Sequence, residues 1–100
     1  MATVSKALAR TAAATSSTTL YTVPASTTTV VTNIVVTNTA GTSGTFSLLL
    51  DDVSIATTVT VGAYDSTIID MKQVLATTKT IKGLASAITI NFHISGVEIA

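Results

Sequence analysis

The chain has 100 residues, five basic, five acidic and one His, so a tenth of it is charged and its formal net charge is zero; an ordinary soluble domain is about a quarter charged. That length suits one domain with one core, and five scattered cations (Lys6, Arg10, Lys72, Lys79, Lys82) give no basic stripe for a nucleic-acid backbone. The absence of Cys excludes a disulfide framework, a thiolate nucleophile and a zinc knuckle, and no apolar run approaches the ~20 residues that span a bilayer as a helix.

Threonine replaces charge as the solubilising residue. The 22 Thr, 11 Val and 9 Ile together make 42 residues branched at Cβ, which stiffen in a helix and pack well on a pleated sheet, so an all-β fold is expected.

Residues 1–17 are Ala-rich, with Lys6 and Arg10 four apart and no strong apolar face. They read as an N-terminal arm, extended or partly helical: a disordered tail, a segment that orders on a neighbouring subunit, or a short helix capped by Ser5 and running through Ala14. Arg10 interrupts the stretch before the apolar run of a signal peptide develops, which predicts a protein made and kept in the cytoplasm until assembly. Residues 18–100 read as the β-sandwich domain.

The first strand is expected over 18–23, stopped by Pro24, which lacks a ladder donor. Residues 28–38 make a long strand with Val30, Thr32, Ile34 and Val36 on one face and Val31, Asn33, Val35 and Thr37 on the other. After a Gly/Ser/Thr loop, residues 45–50 place Phe46, Leu48 and Leu50 together, and Asp51-Asp52 caps the strand end. Residues 53–61 form one bent strand or two short ones with Val53, Ile55, Val59 and Val61 in phase. Residues 66–71 form the next, and 72–75 lose the alternation and read as a single helical turn. Residues 78–82 make a strand ending near Gly83. The last, 87–95, alternates Ile88, Ile90, Phe92 and Ile94 inward with Thr89, Asn91, His93 and Ser95 outward, and Val97 and Ile99 extend it past Gly96. Seven or eight short strands, broken by turn signals every ~8–12 residues, predict a two-sheet antiparallel β-sandwich or flattened barrel. The expected core is Val30, Ile34, Val36, Ile88, Ile90, Phe92 and Ile94.

Little in the sequence points to chemistry. His93 is alone, without a second His or a Cys to share a metal and without a carboxylate pair near it in sequence. Asp51-Asp52 does not match a calcium-loop spacing, and glycoside chemistry or sugar binding would want aromatic platforms that a chain without Trp hardly supplies. The single glycines form no phosphate-binding motif. No catalytic, cofactor-binding or metal residue is assigned, and no cofactor is expected.

The surface is more informative. A small domain keeps apart from its neighbours with a net charge of roughly 2 to 8 and a surface about 25 to 35% charged. This chain has neither, which predicts that other subunits cover much of it; the alternative is that the sheets wind tightly enough to bury both faces. Lys6 and Arg10 on the arm, Val31 and Val35 on the second face of the long strand, and His93 on the last strand are the candidate partner-binding residues, with Leu49 beside them.

Four segments carry a resemblance: the run from Leu20-Tyr-Thr-Val-Pro-Ala-Ser26 to Asn38, Gly44-Thr-Phe-Ser-Leu-Leu-Leu50, Asp70-Met-Lys-Gln-Val-Leu75 and His93-Ile-Ser-Gly-Val-Glu-Ile99. In this order they resemble small structural proteins of tailed bacteriophages, compact β-sandwiches that serve as capsid cement or decoration proteins or as neck and tail accessory subunits. The resemblance covers residues 18–99. It implies a virion protein without an active site, a homo-oligomer with a trimer the first expectation, and a major capsid protein or neck and tail proteins as partners, with neither nucleic acid nor membrane among them. The leading expectation is a capsid cement or decoration protein that stabilises the head lattice. The alternatives are a neck or tail accessory protein of the same virion and a host-surface glycan-binding module.

Overall fold

The computed structural model describes residues 3–100. Among them are eight strands and no helix: β1 (Thr3–Ala12), β2 (Thr18–Thr22), β3 (Thr28–Asn38), β4 (Gly44–Leu50), β5 (Val53–Val61), β6 (Ser66–Leu75), β7 (Thr80–Ala85) and β8 (Ile90–Ile99). They form two four-stranded sheets in the orders β1-β8-β3-β6 and β2-β7-β4-β5, antiparallel throughout. Two interlocked Greek keys with this order make a jelly roll, an architecture also used by viral capsid proteins, lectins and cupins. The expected all-β sandwich is therefore the fold, drawn out to 46 × 21 × 18 Å.

The core lies between the sheets. Phe92 of β8 and Phe46 of β4 meet edge to face with centroids 6.2 Å apart, surrounded by buried Ile34, Leu48, Ile81, Ile90 and Ile94. Gly83 lets the sheets approach, since a Cβ there would stand 2.9 Å from Leu20 Cδ1 and 3.1 Å from both Leu48 and Phe92. Strand β7 therefore runs through this glycine to Ala85 instead of ending beside it.

Asp51 and Asp52 take φ of 54° and 60° between β4 and β5, the left-handed pair of a two-residue hairpin, which Asp tolerates better than most residues. At the opposite end of the sandwich, buried Asn38 donates to the carbonyls of Thr42 (2.8 Å), Val61 (3.3 Å) and Gly62 (3.3 Å) and accepts from the Ala40 amide (3.0 Å). One carboxamide thereby fastens the β3–β4 loop to the end of β5.

Three local expectations need correction. Residues 3–12 are not an arm: they form β1, paired with β8 from Thr3–Ile99 to Ala12–Asn91, with Leu8 bulged between Ala7 and Ala9 and buried. Met1 and Ala2 of the expected arm lie outside the described residues. Residues 72–75 are not a helical turn: β6 continues through them, and the disturbance is an extra residue relative to β3, where Asp70 pairs with Asn33 and Gln73 with Val31.

The third correction concerns phase. Strand β3 itself carries an extra residue relative to β8, between Val31 and Asn33. The bulge reverses the alternation, so Thr29 and Val31 face the core before it, and Ile34, Val36 and Asn38 after it. Val30, expected inside, is half-buried, and Ile88 lies before β8 begins and is 70% exposed.

Candidate functional site

The outer face of the first sheet is built from rows of side chains set by strand register. One row runs Arg10, His93, Val35, Ile68 across β1, β8, β3 and β6. The next toward the chain termini runs Ala7, Ser95, Asn33, Asp70, and beyond it lies Ser5, Val97, Val30, Val74. Ala12, Asn91, Thr37 and Ser66 complete the face on the other side. Across these four rows the only Lys, Arg, Asp or Glu residues are Arg10 and Asp70, with Lys72 exposed on β6 beside them. The rest is hydroxyl, amide, imidazole and aliphatic surface.

Three of the five residues proposed for partner binding thus stand side by side. Arg10 and His93 are exposed and directly opposed, and Val35, half-buried, follows. The other two are corrected. Val31 is wholly buried, because the β3 bulge turns it inward. Lys6 is opposite Gly96 on the inward row and is bound to Glu98 at 3.3 Å, so the Leu8 bulge sends Lys6 and Arg10 to opposite sides of β1. Leu49, also considered a contact residue, is half-buried on the outer face of the second sheet, opposite Lys82.

Lys6 belongs to a polar group that sequence pattern did not reveal. The Glu98 carboxylate accepts from Lys6 and takes a short hydrogen bond from the Tyr21 hydroxyl, which lies 2.8 Å from buried Thr29 Oγ1. Burial and then the bond to Glu98 push the Tyr21 pKa up to about 12. The same bond, followed by Lys6, holds Glu98 below the ordinary carboxyl range against its partial desolvation. The group ties β2 of one sheet to β1, β3 and β8 of the other. Its only advance signal was a Tyr within an otherwise Thr-rich segment.

Two further ion pairs lie at the β4–β5 turn. Lys82 reaches Asp52 at 2.6 Å and Lys79 reaches Asp51 at 3.6 Å, so both carboxylates of the β4–β5 turn face lysines. Among the described residues no three His, Cys, Asp or Glu side chains converge as metal ligands do. One open depression of about 500 Å³ lies over the β6 irregularity, lined by Thr32, Asp70, Met71 and Lys72. No protein-family model matches the chain, and no curated protein matches it.

Proposed function

We propose that the protein is a non-enzymatic structural protein of a tailed-phage virion, a capsid cement or decoration protein that stabilises the head lattice. The observation that carries this reading is the outer face of the first sheet, whose rows hold Arg10, His93, Val35 and Ile68 together with Val30, Val74 and Val97 and very little charge. Such a face repels a neighbouring protein weakly and buries aliphatic area on contact. The segment resemblance points the same way, and the jelly roll is compatible with it as a fold-level analogy.

In this reading the row from Arg10 to Ile68 meets the major capsid protein, with Arg10 the group able to fork onto a partner carboxylate. Immunogold labelling of virions with an antibody to this chain tests it: label over the head is expected. Label at the neck or tail moves the protein to the accessory role, and unlabelled virions overturn the proposal. Arg10→Glu should weaken rebinding to stripped heads, most at low salt.

A further inference from the structure

Strand β6 is the outermost strand of the first sheet and runs ten residues, Ser66–Leu75. Its two aliphatic side chains on the outer face, Ile68 and Val74, are 66% and 67% exposed. Asp70 and Lys72 lie between them and, among the described residues, make no ion pair. A long edge with apolar side chains and unpaired backbone groups is a template for another strand. The sequence of this edge says which strand fits.

We propose that β6 pairs antiparallel with β6 of a second copy, about a two-fold axis at Met71, joining the first sheets of the two copies into one of eight strands. A two-fold perpendicular to the sheet keeps outer face with outer face, so residues related by it must be an even number apart. With the axis at Met71, Ile68 lies opposite Val74 of the other copy and Asp70 opposite Lys72, and each pairing occurs twice. Shifting the axis to residue 70 sets Asp70 against its own copy, and shifting it to residue 72 does the same to Lys72. Like charges directly opposite destabilise a sheet pair and unlike ones support it, so the edge is complementary to itself in this register and penalised in the two nearest.

The extra residue that β6 carries relative to β3, between its own Asp70 and Gln73, lies beside the axis, so the two-fold brings the irregularities of both copies together at one point. The pairing is isologous and closes at two, in place of the trimer expected from the resemblance. It does not rest on the virion reading, and it is testable with the free protein.

Sedimentation velocity of the purified chain at micromolar concentration should show a dimer. Asp70→Lys and Lys72→Asp each place two like-charge pairs across the axis and should each raise the dimer dissociation constant about tenfold or more, while the double exchange D70K/K72D should restore dimerisation. These residues are exposed, so circular dichroism should stay unchanged. Met71→Cys should oxidise to a covalent dimer, because directly opposed antiparallel residues lie within disulfide reach, and Ile69→Cys, set opposite Gln73, should not. A monomer across the concentration range, a trimer, or a dimer indifferent to both charge reversals would overturn the proposal, as would failure of the double exchange to rescue.

Discussion

The two long sides of the sandwich are built differently. On the β1–β2 side the gap between the sheets is closed: Leu8 turns inward at its bulge, Ala13 and Val23 are buried in the connections, and Tyr21 spans the sheets to Glu98. On the β5–β6 side Val61 and Leu75 are buried at the strand ends, but the inward residues between them, Ala56, Val59, Ile69 and Met71, are only partly buried, and Val53 and Ile55 are exposed. The closed side resembles a finished core. The open side keeps aliphatic surface at its rim, and it is also the side on which β6 offers its unpaired edge. Buried contacts between the sheets thus reach the rim along one flank, while exposed aliphatic side chains and a free strand edge lie along the other.

The largest expected effect breaks the closed side. Deleting residues 2–12 removes β1, strips β8 of a partner and takes Leu8 from the core, so the cooperative thermal transition should be lost; a truncated chain that melts like the parent would show that β1 contributes nothing. Next comes the centre. Phe92→Ala should cost about 3 to 5 kcal/mol in chemical denaturation, whereas Val53→Ser on the open rim should stay within about 0.5 kcal/mol. Equal losses would erase the distinction between the flanks.

The polar group sharpens the comparison through pH. The folded Tyr21 pKa lies above its ordinary value of 10, near 12, so the stability it carries is complete below pH 10 and is lost as pH rises toward 12. For Glu98 the folded pKa is depressed, so its contribution is present above pH 4.5 and is lost as pH falls through the lower folded value. Tyr21→Phe should flatten the alkaline limb of a stability profile relative to the parent. It should also cost about 1 to 3 kcal/mol near neutrality, because buried Thr29 loses its partner. Glu98→Gln should flatten the acid limb. A small effect is also expected of Lys6→Ala, which removes an ion pair whose lysine is half-exposed and should change stability by about 0 to 1 kcal/mol, measured by the denaturation midpoint.

Much of the architecture was legible before the structure. Residues 28–38 form a strand with the predicted bounds, and Ile90, Phe92 and Ile94 alternate into the core as their period of two requires. Of the candidate surface, Val35 and His93 were legible as outward strand residues, but Arg10 read as part of an arm, and the alignment of the three in one row was not legible. Register between β1 and β8 joins residues 79 (Ala12 and Asn91) to 96 (Thr3 and Ile99) apart in the chain, and no local pattern records it.

What the sequence by itself determined is the all-β class and most strand positions, because β-branched residues and period-two alternation are local and survive any partner. The tertiary structure decided the rest. It drew the Ala-rich N-terminal segment into the first sheet, since the edge of β8 supplies hydrogen bonds that the segment's weak pattern does not advertise. It inverted Val30 and Val31 through a single inserted residue, because a bulge shifts phase without altering composition. It brought Tyr21, Thr29, Glu98 and Lys6 together from four strands, because distant polar groups become neighbours only when the sheets close on one another.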